Sequence, residues 1–218
     1  MIFQFADILN PEQAAAMREA LGAPGVFADG AATAAGRARS AKRNEQALGG
    51  AAKGVIQTAR EAILASPLVV AAAQPLAVAR IMANRYGEGM EYGAHVDAPY
   101  IDGVRTDLSF TLFLSDPESY EGGELVIECA GAEDQIKLAA GALALYPSTS
   151  VHRVERVLHG ERLAIVGWLK SRIRSTEARM LVYEAERTCA DLAALNAPHE
   201  VRDRAANLKN NLLRFFGD

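Results

Sequence analysis

The stretch Tyr92-Gly93-Ala94-His95-Val96-Asp97 decides how this chain is read. In an extended segment side chains alternate, so the imidazole of His95 and the carboxylate of Asp97, two positions apart, share a face. A lone His-x-Asp pair is more often a surface pair than a metal site, and its surroundings set its weight. Beyond Pro75 the chain breaks into short runs rich in β-branched and aromatic residues. Strands are expected over 76–86, around His95 and Asp97, and over 106–114, 124–128, 135–138, 142–146, 151–157 and 162–170. Turn signals separate them, among them Asp102-Gly103, Asp116-Pro117, Gly122-Gly123 and His159-Gly160. No helix alternates with these strands, which argues against a Rossmann-type sheet and for a mainly β fold, an antiparallel jelly roll with helical flanks.

A second histidine lies where such a fold brings the chain back to its own beginning. His152 follows four of the expected strands, about the number a jelly roll needs to return it beside His95. Two histidines and a carboxylate form a facial triad with open coordination positions, the arrangement of non-haem Fe(II) oxygenases. A closed structural zinc site would want four protein ligands, usually with thiolates, and neither Cys129 nor Cys189 is suitably spaced. Arg162 heads the apolar run Leu163-Ala164-Ile165-Val166-Gly167-Trp168-Leu169, where it either caps the sheet in solvent or points inward. Beside the triad the inward role wins: a guanidinium fork matches the far carboxylate of a dicarboxylate cosubstrate chelated to the metal at its other end.

Together, His95-x-Asp97, His152 and Arg162 resemble the iron- and 2-oxoglutarate-dependent dioxygenases, and the text around them resembles the bacterial PKHD-type hydroxylases. Also similar are Asn84-Arg85-Tyr86, Arg105-Thr106-Asp107-Leu108-Ser109, Thr111-Leu112-Phe113-Leu114-Ser115-Asp116, Gly122-Gly123-Glu124-Leu125 and Leu145-Tyr146-Pro147-Ser148, so that the resemblance spans at least 76–171. It implies a double-stranded β-helix in which His95, Asp97 and His152 hold Fe(II) while Arg162 binds 2-oxoglutarate. Asn84 and Tyr86, on one face of their strand, are implied as further cosubstrate contacts. The activity implied is hydroxylation of a substrate C–H bond, peptidyl or in a small molecule, using O2 and releasing succinate and CO2, with L-ascorbate rescuing uncoupled turnover. One departure is Phe113, where the animal oxygen-sensing prolyl hydroxylases carry a tyrosine against the cosubstrate. A competing reading, a cupin-like metal-binding or sensory module without turnover, has no use for Arg162.

Outside this core, Asn10-Pro11-Glu12 opens an alanine-rich run and marks a helix over 10–21 with Asn10 as N-cap. Residues 23–43, with Arg37, Arg39, Lys42 and Arg43, read as an exposed loop or a mobile lid, and a second helix is expected over 45–64. Further helices are expected over 176–195 and from Pro198 to Phe216, with Leu208, Leu212, Phe215 and Phe216 spaced to pack on a neighbouring surface. The organisation is therefore a helical flank over 1–75, a catalytic core over 76–172 and a helical extension over 173–218. Trp168 shares the alternation face of Arg162, with core packing as its expected role, and His159 and His199 are expected in solvent. With 23 Lys+Arg against 27 Asp+Glu and a net charge of -4, the chain offers no global footprint for a nucleic-acid backbone. It has no signal-type N-terminus, no apolar run of membrane-spanning length and only two cysteines, so a cytoplasmic protein without nucleic-acid or membrane partners is expected. A homo-oligomer stays open.

Overall fold

Leu108-Ser109-Phe110-Thr111-Leu112-Phe113 is buried at every position, because a strand at the centre of this molecule is covered on both faces. The computed structural model describes residues 1–33, 41–47 and 50–218. The N-terminal quarter supplies β1 (Phe3–Phe5), β2 (Ala28–Asp29), β3 (Lys42–Arg43) and β4 (Glu45–Ala47). Then come β5 (Pro75–Tyr86), β6 (Glu91–His95), β7 (Tyr100–Ile101), β8 (Val104–Arg105), β9 (Leu108–Phe113), β10 (Tyr120–Gly122) and β11 (Leu125–Cys129). The series closes with β12 (Ala132–Ile136), β13 (Leu143–Pro147), β14 (His152–Val154), β15 (Val157–Gly160) and β16 (Arg162–Ser171). The α-helices are α1 (Pro11–Leu21), α2 (Lys53–Ala65), α3 (Pro67–Ala73), α4 (Thr176–Ala194) and α5 (His199–Phe216).

Two antiparallel sheets carry the architecture, the larger in the order β1-β13-β9-β16-β5-β4-β2 and the smaller in the order β12-β11-β14-β6-β3. This is the expected jelly roll. Alternation divides the work of the larger sheet. Leu108, Phe110, Leu112, Leu163 and Ile165 join Met17 of α1, Val55 and Ile63 of α2 and Val69 of α3 in the main apolar core. The intervening residues Ser109, Thr111, Arg162, Val166 and Trp168 line a cavity to which the smaller sheet also contributes. The helix cap at Asn10 forms as expected, with a reciprocal capping box to Gln13.

Several expectations need correction. Glu45-Gln46-Ala47 opens no helix; it pairs as β4 with Arg85-Asn84-Ala83 of β5, and α2 starts only at Lys53. Sheet pairing overrides a helical propensity that Gly49-Gly50 already weakens. The run 151–157 is two strands, since β14 stays in the smaller sheet while β15 pairs with β10. The strand expected over 135–138 lies earlier, at β12. In the C-terminal pair, Leu212 and Phe216 pack on Ile173, Ala178 and Val182. Leu208 and Phe215 instead face outward, 59% and 81% exposed. Of the expected loop or lid, Arg37 and Arg39 fall outside the described residues, while Lys42 is buried in β3. No single helix among the described residues is long and apolar enough to cross a membrane.

Candidate active site

His95 ends β6 and His152 begins β14, and the two residues are direct register partners across the smaller sheet. Asp97 lies beyond the end of β6, so the strand expected to carry it stops two residues short. It reaches the histidines all the same: its Oδ1 is 3.9 Å from His95 Nε2 and its Oδ2 is 3.6 Å from His152 Nε2. The three ligand atoms all lie within 4.8 Å of one another, a group that could hold a metal ion.

The rings are fixed by the main chain. His95 Nδ1 lies 2.9 Å from the Gly93 carbonyl oxygen and His152 Nδ1 lies 3.0 Å from that of Ser150. A carbonyl can only accept, so each Nδ1 carries a proton, and Nε2, the atom facing Asp97, is the nitrogen left for a metal. Burial, reinforced by the neighbouring His152, pulls His95 down to about 4, which keeps its imidazole neutral and able to ligate at neutral pH. Asp97 Oδ2 accepts a hydrogen bond of 2.6 Å from the Ser109 hydroxyl, itself 2.8 Å from that of Ser148. Tyr92 stacks on His95 with ring centroids 3.7 Å apart, and Tyr146 meets His152 edge-on at 5.1 Å.

Arg162 opens β16 opposite Tyr86, and its side chain enters the same cavity, of about 290 Å³. It is 1% exposed, and Nε, Nη1 and Nη2 are all buried without a well-formed hydrogen bond. The guanidinium lies between two rings, its Cζ 5.3 Å from the centroids of both Tyr86 and Phe113. The Tyr120 hydroxyl interacts with it, but no carboxylate forms a salt bridge with it among the described residues; a buried cation so placed calls for an anionic ligand, and a planar fork suits a carboxylate. The donor set therefore fits a metal ion and a dicarboxylate held together in one cavity. Phe113, the departure noted in the sequence, supplies a ring face in place of a hydroxyl. Tyr86 is 1% exposed, and burial raises its phenol above the ordinary range, so it stays protonated. Asn84 Oδ1 accepts from Gln46 Nε2 at 2.8 Å.

All the residues singled out from the sequence as His95, Asp97, His152, Arg162, Tyr86 and Asn84 line this cavity. Trp168, expected in the core, lines it too. His159 and His199 are exposed, as expected. Four contributors escaped the sequence reading. Ser109 and Ser148 hide in ordinary strand and turn text, and Lys42 and Gln46 sit in a segment read as loop and helix. Gly123 also bears on the site. At φ +67° it favours glycine, and a Cβ there would stand 3.1 Å from Arg162 Cδ and 3.0 Å from Val157 Cγ2.

Comparison with known proteins agrees with this geometry. Residues 81–170 match the model of the 2OG-Fe(II) oxygenase superfamily. A PKHD-type hydroxylase of Maricaulis maris is 40% identical over 219 residues, covering 100% of both chains. Another, of Parvibaculum lavamentivorans, is 42% identical over 193 residues, covering 88% of each. Among solved structures, a prolyl-4-hydroxylase of Pseudomonas putida matches with a TM-score of 0.58 at 21% identity, over 78% of this chain and 92% of that one. A prolyl hydroxylase of Trichoplax adhaerens, solved with a peptide fragment of hypoxia inducible factor, matches with a TM-score of 0.59 at 16% identity, over 77% and 83%. At those identities the structures speak for the fold alone. The full-length relatives go further, and with them the chain belongs to the PKHD-type hydroxylases of the 2OG-Fe(II) oxygenase superfamily.

Proposed function

We propose that in this 2-oxoglutarate-dependent dioxygenase His95, Asp97 and His152 hold Fe(II), and that Arg162 grips the far carboxylate of 2-oxoglutarate. The observation that carries the assignment is the Arg162 guanidinium, buried in the same cavity as the triad with no salt-bridge partner among the described residues. Tyr86 and Phe113 keep the guanidinium plane between their rings. Asn84, whose Oδ1 is already used by Gln46, offers its amide nitrogen to the cosubstrate. Ser109 orients Asp97, and the backbone carbonyls of Gly93 and Ser150 keep the imidazoles in the ligating tautomer. When bound, Fe(II) and 2-oxoglutarate supply the O2 chemistry that couples decarboxylation to succinate and CO2 with hydroxylation of a C–H bond. The protein's share is to bind, to orient and to keep the cavity poor in water, for which Met82, Val166 and Trp168 furnish apolar walls.

The substrate is peptidyl or a small molecule, and L-ascorbate sustains turnover. The cytoplasm is the proposed compartment, without nucleic-acid or membrane partners, and association into a homo-oligomer is compatible with this reading. The catalytic core is assigned to 76–172, between flanks over 1–75 and 173–218.

The test is anaerobic titration of the Fe(II)-loaded protein with 2-oxoglutarate, followed by its weak visible charge-transfer band. Arg162→Met should raise the apparent Kd by about 10²-fold or more, because one partner of a buried charge pair is removed. An unchanged Kd in that variant would overturn the assignment of Arg162, and no band in the wild type would overturn the whole reading.

A further inference from the structure

Beside Arg162 stands a small two-stranded sheet, no residue of which lines the cavity. In it β10 pairs with β15, Tyr120 opposite Gly160 and Glu121 opposite His159. Missing side chains allow the close approach: a Cβ on Gly160 would stand 3.0 Å from Tyr120 Cα, and one on Gly122 would collide with the Arg156 carbonyl oxygen. The Gly122-Gly123 pair, a turn signal in the sequence, thereby helps to set where Tyr120 lies. Tyr120 is 5% exposed. Its ring edge and the Arg162 stem converge on Gly123, with Tyr120 Cε2 and Arg162 Cδ each 3.1 Å from the position of a Cβ there. Lys137 pins the tyrosine in place, its ammonium 4.1 Å from the ring centroid and donating to the Tyr120 carbonyl at 2.8 Å.

The Tyr120 hydroxyl oxygen is buried, and the side chain it interacts with as a hydrogen-bonding group is Arg162. A guanidinium can only donate, so the phenol oxygen accepts. Burial raises the phenol above its ordinary range, which keeps it a neutral acceptor. That contact supplies something the rings do not. Tyr86 and Phe113, their centroids 5.3 Å from Arg162 Cζ, attract the cation but leave the guanidinium free to turn within its own plane. An acceptor of its N–H groups lies near that plane and fixes the turn. A carboxylate takes two of the five N–H donors, so the phenol and the ligand do not compete. We propose that Tyr120 is a positioning residue for the cosubstrate that acts through Arg162: its hydroxyl sets the rotation of the guanidinium so that the N–H groups facing the cavity meet the far carboxylate of 2-oxoglutarate. The inference rests on the cosubstrate role given to Arg162 above.

Tyr120→Phe removes one oxygen and keeps the ring beneath Lys137. Fe(II)-loaded protein would be titrated without O2 with 2-oxoglutarate and, separately, with 2-oxopentanoate, which keeps the keto acid and ends in a methyl group. The charge-transfer band reads both. In Tyr120→Phe the Kd for 2-oxoglutarate should rise about ten-fold, while that for 2-oxopentanoate should change less than about two-fold. The Kd for Mn(II), from calorimetric titration, should also stay within about two-fold of wild type. Placed on Arg162→Met, Tyr120→Phe should add less than about two-fold to the Kd for 2-oxoglutarate, because the group it works through is gone. An unchanged Kd for 2-oxoglutarate in Tyr120→Phe overturns the inference. So does an equal loss of both ligands, which would mark a general loosening of the fold. A full ten-fold effect that persists on Arg162→Met overturns it as well, by giving Tyr120 a contact with the cosubstrate independent of Arg162. A wild type that binds the two ligands equally would instead overturn the Arg162 assignment on which the inference rests.

Discussion

Arg162 sits where a cation is costly. Its three nitrogens are buried without a salt bridge among the described residues, and the Tyr120 hydroxyl and the rings of Tyr86 and Phe113 offset only part of that penalty. Arg162→Met, which should lose cosubstrate affinity, is therefore expected to raise the thermal midpoint of the metal-free protein, at roughly 2–4 °C for each kcal/mol gained. Scanning calorimetry of both proteins without ligand checks this, and a lower midpoint for the variant would count against a frustrated cation. Ser109 acts more gently. Its hydroxyl holds one oxygen of Asp97 at 2.6 Å, so Ser109→Ala should weaken Mn(II) binding about ten-fold in calorimetric titration while the fold persists.

At the scale of elements, β16 joins the Arg162 end of the cavity to the Trp168 end, and Gly123 bears on it from outside the strand. A methyl group at that glycine would press on Arg162 Cδ and strain a backbone at φ +67°. Gly123→Ala should thus destabilise the protein by about 1–2 kcal/mol in urea denaturation and raise the Kd for 2-oxoglutarate several-fold. Elements with a strong local signal were legible in the sequence. The Asn10-Pro11 cap fixed the start of α1, and the long apolar runs of β5 and β16 appear almost where expected. Elements made by long-range pairing were not. The strap of β3 and β4 has only Lys42-Arg43 and Glu45-Gln46-Ala47 to declare itself, and those residues are strands because Tyr92 and Asn84 are waiting for them.

Across the whole molecule, Asp107 is the junction between the sheet and the C-terminal extension. Its carboxylate accepts from Arg105 Nε at 2.7 Å, Arg105 Nη2 at 2.9 Å and the Ser171 N–H at 2.8 Å, tying the start of β9 to the end of β16. Asp107→Asn should cost about 2–4 kcal/mol by leaving Arg105 short of its counter-charge, seen as a lower urea midpoint with an unchanged slope. A changed slope would mean that the compactness of one of the end states had moved. The same contrast between local and distant information governs the cavity. Its charged residues announced themselves because His-x-Asp, a far histidine and a strand-initial arginine are chemically unusual in apolar text. Lys42 and Ser109 carry no such mark, and only the closed sheets show what they face. The two imidazoles add a last consequence, since each is braced by a main-chain oxygen, of Gly93 and of Ser150. Every amino acid supplies that atom, so mutational drift at position 150 can change the side chain freely without unsettling the pose of the ring beside it.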